Sequence, residues 1–380
     1  MRFADIPGLE EVKQVLVQSV QRQHVAHAQL FRGADGSGAL ALALAYAAYL
    51  NCEDRQPQDS CGQCASCRKI DRLVHPDLNF ILPVTTTKQV SKDALSHKFA
   101  AEWRTFALAE GGAYQGLNDW MQHIGAENKQ GNISKDEAVQ LLKLVSLKAF
   151  EAQFKLVVIW LPELMHPAAA NAVLKLLEEP PPATVFLLVC QQPDKLLPTI
   201  LSRVQLVPVR QFRDDEVTQH LATHFGVPEA KARQLAQISE GNLGAALAGR
   251  NQDGNDYFTC YADWMRACYG LNVEKIASGA DNFQKLGREN QKEFLQYALS
   301  LTRKVLLYGL DPQLVPHLPA QEHTFISRFC QFVHRLNADD LTRELNDAHF
   351  HIERNANPRI VFVDTSLQLA EWLRVPVPGA

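Results

Sequence analysis

The sequence predicts a doubly wound α/β domain, then a small helical segment, then an all-helical C-terminal region. Three observations carry this. A glycine-rich turn, Gly33-Ala34-Asp35-Gly36-Ser37-Gly38, joins a short apolar run to an alanine- and leucine-rich helix. Two continuous apolar runs, "KLVVIW" at 155–160 and "ATVFLLVC" at 183–190, flank a helical stretch, as strands buried on both faces of a parallel sheet do. Beyond residue 251 the apolar spacing is helical, and no strand pattern is as clear. The 380 residues suffice for two or three domains.

Each element follows from local pattern. Val12, Leu16 and Val20 fall on one helical face over residues 10–20, and Gln29-Leu30-Phe31 reads as a short buried strand. The glycine turn opens a helix from about Gly38 to Leu50. Residues 84–131 are polar and irregular, with Thr85 to Thr87 and Gly111-Gly112. Trp103 and Trp120 there suggest short, locally packed helices, so this stretch reads as an insertion. A helix is expected over 136–150 with Val139, Leu142, Val145 and Ala149 on its apolar face. Another runs from Pro167, at a helix start where its missing N–H costs little, to Glu178, before Pro180-Pro181-Pro182 stops it. A short helix precedes Ser202, and "VQLVPV" completes the sheet near Arg210. The expected boundaries are 1–210 for the α/β domain, 211–250 for a helical lid, and 251–380 for a helical domain.

Composition bounds the function. A net charge of −4, from 38 basic and 42 acidic residues, argues against a protein that neutralises nucleic-acid phosphates over its whole surface. Residues 1–5 lack the basic-then-apolar pattern of a signal peptide. The longest apolar run, Ala39 to Leu50, falls short of the roughly 20 residues that span a bilayer. A cytoplasmic protein with no membrane contact is expected. Its eight cysteines then do not read as a disulfide framework.

Four of them, Cys52, Cys61, Cys64 and Cys67, follow C-x8-C-x2-C-x2-C inside a module at 52–75. Thiolates at this spacing converge on one cation, and four of them make a closed tetrahedral zinc site with a structural role. Iron–sulfur ligation uses a related spacing, but its usual fourth cysteine lies just downstream, whereas here it lies upstream. Cys190, Cys260, Cys268 and Cys330 sit singly in apolar contexts and read as buried small hydrophobes. Around the cysteine module, Arg55, Arg68, Lys69 and Arg72 are balanced by Glu53, Asp54, Asp59 and Asp71. A free-standing zinc-stabilised nucleic-acid binder is disfavoured accordingly.

The turn Gly33, Gly36, Gly38 has the form of a phosphate-binding loop. A working loop would continue with lysine for the terminal phosphates and a hydroxyl residue for magnesium. Those positions hold Ala39 and Leu40. The end of "KLVVIW" is where acidic residues would hold magnesium, and it reads Trp160-Leu161-Pro162-Glu163, with the one carboxylate offset. Both halves of an ATP-hydrolysing site are missing, so no ATP is expected in this chain's own site. Ser202-Arg203, between a short helix and a strand, offers an arginine that can present charge to a neighbour's ATP, or else a local ion pair.

In order, "HAQLFRGADGSGALALALAYAAYLNC", "CGQCASCRKI", "FKLVVIWLPELMHPAAANAVLKLLEEPPPATVFLLV", "LLPTILSRVQ" and "SEGNLGAAL" resemble the clamp-loader subunits of bacterial DNA polymerase III, in the AAA+ superfamily. "NANPRIVFVDTSLQLAEWL" is similar to the last helix of that family's collar domain. The resemblance implies an α/β AAA+ P-loop-type domain with a parallel sheet, a small helical lid and an all-α collar that oligomerises. Ala39, Trp160-Leu161 and Ala245, the last where the family often has a lid arginine, favour the non-hydrolysing delta-prime branch over the ATPase motor branch. Ser202 and Arg203 match the first two positions of the family's Ser-Arg-Cys motif, with Val204 departing at the third. Arg203 is then implied as an arginine finger in trans. Implied partners are gamma/tau motor subunits and a delta subunit, with the sliding clamp and primed DNA met through the complex, in the nucleoid-associated replisome. The 84–131 insertion has no counterpart in this resemblance.

Overall fold

The structure, a computed structural model, describes residues 1–127, 129–250, 257–315, 318 and 320–376. Its contacts divide the chain into two compact units, Met1–Asn251 and Gln252–Ala380. No helix among the described residues is long and apolar enough to cross a membrane.

In the first unit, α1 (Glu10–Gln21) precedes β1 (Ala28–Arg32), which feeds through the glycine turn into α2 (Ala39–Leu50). Then come α3 (Ala65–Asp71), β2 (Leu78–Ile81), α4 (Ala100–Leu108), α5 (Leu117–His123) and α6 (Lys135–Ser146). The sheet resumes with β3 (Lys155–Trp160), α7 (Pro167–Glu178), β4 (Thr184–Cys190), α8 (Pro198–Leu201) and β5 (Gln205–Pro208). All five strands are parallel in the order β2-β3-β4-β1-β5. Three helices, α9 (Asp214–Phe225), α10 (Glu229–Ser239) and α11 (Leu243–Gly249), form the lid. This is the parallel α/β architecture, followed by a small helical segment, expected from the sequence. The interior strands explain the apolar runs: every residue of β3 and β4 is buried, because helices cover both faces.

Several local readings change. Leu78–Ile81 forms an edge strand that the sequence pattern does not announce, being four residues long with Asn79 and Phe80 half-buried. Helix α6 ends at Ser146 rather than Phe150. The Asp77 carboxylate takes the N–H groups of Phe150, Glu151 and Ala152 at 2.6–2.9 Å, which fixes that stretch as a loop. The buried face of α6 is Ala138, Leu141 and Val145, while Val139 and Leu142 are exposed. The insertion is less irregular than its composition suggests. Its neck is closed by paired bonds between Val84 and Asn132 (3.0 and 3.1 Å). Trp103 packs edge-on against Trp120 at 5.3 Å and also against Trp160, the last residue of β3, at 5.1 Å. The insertion therefore shares the core of the α/β domain rather than packing only on itself.

The second unit is helical: α12 (Tyr257–Tyr269), α13 (Val273–Lys285), α14 (Arg288–Leu310), α15 (Ala320–Phe329), α16 (Ala338–Glu353) and α17 (Pro358–Trp372). Asn357 caps α17 through its side-chain oxygen, with Pro358 at the first helical position. Trp264 stacks on Phe362 at 4.7 Å and donates its indole N–H to Ser366 at 2.8 Å. Cys190 and Cys268 are buried as expected, but Cys260 is exposed and Cys330 half-buried.

Candidate functional site

The glycine loop forms where β1 meets α2. Gly36 and Gly38 lie in the left-handed region at φ +70° and +81°, which lets the chain turn from strand into helix within a few residues. In a phosphate loop the glycine faces stay bare so that the ligand can approach the backbone N–H groups. Here they are covered. A Cβ at Gly36 would overlap the Asn242 side chain, and one at Gly38 would sit 2.8 Å from Phe212 Cζ and 3.5 Å from the Tyr114 ring. At Gly33 it would overlap the buried Ser37 hydroxyl. Asn242 comes from the lid, Phe212 from the segment entering it, and Tyr114 from the insertion. The lid also closes directly on the loop, since the Leu243 N–H donates to the Gly36 carbonyl at 3.2 Å. Ala39 and Leu40, where a phosphate-binding lysine and a metal-binding hydroxyl would stand, are buried apolar residues of the core.

Asp35, on the same turn, accepts from the Gln191 side chain at 3.1 Å. Burial, helped by the nearby Asp119 carboxylate, raises its pKa. A carboxylate at this exposed position of the turn disfavours phosphate by like-charge repulsion. At the end of β3, Glu163 has a structural task through one of its carboxylate oxygens. Its Oε1 accepts the N–H groups of Gln191 and Gln192 at 2.8 and 3.0 Å, so the carboxylate ties down the chain leaving β4.

Ser202 and Arg203 follow α8 on the exposed side of the domain. The Arg203 guanidinium donates to the Thr199 carbonyl (2.9 Å) and the Ser202 hydroxyl (3.1 Å), and pairs with Glu178 at the end of α7 at 2.8 Å. Ser202 donates to the Thr199 carbonyl at 3.1 Å. Both partners of the ion pair are partly exposed, and such pairs contribute little to stability.

The four cysteines do come together. Cys52 follows α2 directly, Cys61 and Cys64 lie in the loop, and Cys67 is in the first turn of α3. Their sulfurs all lie within 4.8 Å of one another. Backbone N–H groups point at them: Cys61 to Cys52 Sγ (3.3 Å), Gln63 and Cys64 to Cys61 Sγ (3.4 and 3.3 Å), and Cys67 to Cys64 Sγ (3.4 Å). Burial works against a Cys61 thiolate, but the N–H groups of Gln63 and Cys64 outweigh it and bring this thiol down to about 7. Burial pushes Cys67 up. Four convergent thiols with backbone donors on their sulfurs fit a closed four-coordinate metal centre. Nearby, Asn51 pins the module to the sheet by exchanging bonds with the Phe154 N–H (3.0 Å) and carbonyl (2.9 Å).

Sequence reasoning singled out the glycine loop, the cysteines and Arg203. It missed Tyr114, Phe212 and Asn242 in the cradle, and Glu178 beside Arg203. The paired Gly111-Gly112, read in the sequence as a mark of irregular chain, turns out to lie against the Leu247 side chain of α11 and the Phe106 carbonyl of α4.

Comparison with known proteins places the chain in a family. A family model described as DNA polymerase III, delta subunit, matches residues 8–213. The DNA polymerase III subunit delta' of Escherichia coli (strain K12) is 25% identical over 371 residues, covering 93% of this chain and 97% of that protein. The subunit delta' of Bacillus subtilis (strain 168) is 28% identical over 242 residues, covering 64% of this chain and 59% of that protein. The subunit tau/gamma of Haemophilus influenzae is 26% identical over 255 residues, covering 66% of this chain and 30% of that protein. The chain belongs to the DNA polymerase III clamp-loader family, in which both delta' and tau/gamma relatives match it.

Proposed function

We propose that this chain is a non-hydrolysing, delta-prime-type subunit of a clamp loader. It completes the loader ring, contributes Arg203 to the ATP site of a neighbouring gamma/tau-type motor subunit, and owns no working site itself. The observation that carries this reading is the covered glycine loop, with apolar Ala39 and Leu40 buried behind it. Arg203 supports it from the other side, because its bonds are local and weak enough to exchange. Half-exposed Glu178 can be traded for a neighbour's phosphate, to which a guanidinium binds more strongly in a drier interface.

In this reading residues 1–210 are the AAA+ domain, 211–250 its lid and 251–380 a collar that joins the gamma/tau and delta subunits. The cysteine module holds a structural zinc, soft thiolates being the ligands that select it. Sliding clamp and primed DNA are met through the complex, in the cytoplasmic replisome.

The test is Arg203→Ala in a loader reconstituted with motor and delta subunits. The one ATP site that Arg203 serves should slow by on the order of 10³-fold, seen as a partial loss of DNA-stimulated ATPase while the complex still assembles. Full turnover in an intact complex would overturn the finger. ATP binding by the chain alone would instead revive a motor role.

A further inference from the structure

We infer that residues 109–117 of the insertion are a built-in substitute for nucleotide, filling the cleft beside the glycine loop and holding the lid on the α/β domain whether or not ATP is present. This goes beyond the proposed function and rests neither on Arg203 nor on any partner.

Tyr114 meets the three elements that line this cleft. Its ring approaches Gly38 and packs edge-on against Phe212 at 5.9 Å. Its carbonyl lies where a Cβ on Gly244 of the lid would be, so only glycine fits there. Burial, together with the Asp5 carboxylate of the N-terminal segment, raises the pKa of its phenol. The buried ring thus lies between the loop and Phe212, while the backbone of the same residue meets the lid. Beside it, Gly116 is so close to Asp35 that a Cβ would fall 2.6 Å from Oδ2.

The contact with the lid continues past Tyr114. Gly244, Leu247 and Arg250 are spaced i, i+3, i+6 and share one face at α11 and its C-terminal end. They meet the Tyr114 carbonyl, Gly111 and the Glu110 carboxylate in turn. A Cβ on Gly111 would come 3.0 Å from Leu247, and Arg250 pairs with Glu110 while lying 4.3 Å over the Phe225 ring of the lid. The insertion and α11 therefore run side by side over nearly two turns. At its other end the insertion is rooted in the sheet through Trp103, Trp120 and Trp160. It is a strut between the end of β3 and the lid.

A free ligand that bridges two bodies holds them only as far as its concentration and its differential affinity allow. A covalently attached bridge has no such dependence. The lid of this chain should be indifferent to nucleotide.

Hydrogen–deuterium exchange on the full-length chain tests this, followed in peptides from α9 to α11 with and without ATP and magnesium. The wild-type lid is expected to exchange identically in both conditions. Tyr114→Ala should speed lid exchange roughly tenfold or more while β3 and β4 stay protected. An unaltered lid in Tyr114→Ala, or a wild-type lid that gains protection on adding ATP, would overturn the inference. Should Tyr114→Ala also expose β3 and β4, the ion pair decides. Glu110→Arg should loosen the lid and the added Arg250→Glu should tighten it again, and failure of that rescue counts against the strut.

Discussion

The two ends of α2 carry motifs of opposite kinds, and the contrast shows what each kind reports. The helix is buried along its whole length. At its first residue a glycine turn stands without the lysine and hydroxyl side chains of a phosphate loop, Ala39 and Leu40 taking those positions. Two residues past its end, Cys52 begins a cluster of four cysteines placed so that they could hold a metal ion. Glycines at φ +70° and +81° are needed simply to carry a strand into a helix and to let Asn242 and Phe212 approach. They persist for the fold and say little about ligand. Four thiols within 4.8 Å have no comparable structural reason to gather unless something binds them. A glycine turn is evidence of topology, and a cysteine cluster is evidence of chemistry.

The cysteine end should show the largest effect. Cys67→Ser, or prolonged chelation of the wild type, removes one of four ligands or the ion itself. Binding free energy at a structural zinc site is folding free energy, so several kcal/mol should go. Metal analysis should give one zinc per chain in the wild type and none in the variant, with a large drop in thermal midpoint. A wild-type chain purified without metal and as stable as ever would erase the contrast between the two ends.

The glycine end is tested by restoring what it lacks. In Ala39→Lys/Leu40→Thr an ammonium is placed at a helix N-terminus, where the dipole already favours negative charge, with no phosphate to meet it. The threonine removes buried volume from a site only 4% exposed. Denaturant unfolding should show a loss of about 3–5 kcal/mol, and calorimetry should show no ATP binding. Recovered binding would mean that Tyr114, Phe212 and Asn242 leave more room than their contacts imply.

What was legible in the sequence follows the same division. Strands β1, β3 and β4 and helix α7 could be read because burial on both faces, or a proline start and a proline stop, writes itself into consecutive residues. Edge strand β2 could not, since four residues with two half-buried carry too little pattern. The face of α6 was misassigned because Val139 and Leu142 fit a helical period as well as Ala138 and Leu141 do, and only the position of the sheet decides. At the site, the absence of lysine and hydroxyl at Ala39 and Leu40 was plain, being local. The filling of the cradle was hidden, because Tyr114, Phe212 and Asn242 come from three distant segments, and the SEGNLGAAL stretch that holds Asn242 does not announce which groups it meets.

The smallest of these effects concerns the lid that covers the glycine end. His220 is buried in α9, its ring 4.5 Å from that of His224, and burial, with the like charge of His224, lowers its pKa to about 4. An unfolded histidine titrates near 6.5. Between these values the unfolded chain binds a proton that the folded chain refuses, so stability is present above about 6.5 and is lost as pH falls toward 4. From pH 7 to pH 5 this one group should cost about 2 kcal/mol. Other groups titrate over the same range, so the measurement is a difference: denaturant unfolding of wild type and His220→Leu at both pH values. The variant should lose less stability on acidification by about that amount. Equal losses would show that His220 reaches water, and that the lid shields the glycine end less completely than its packing suggests.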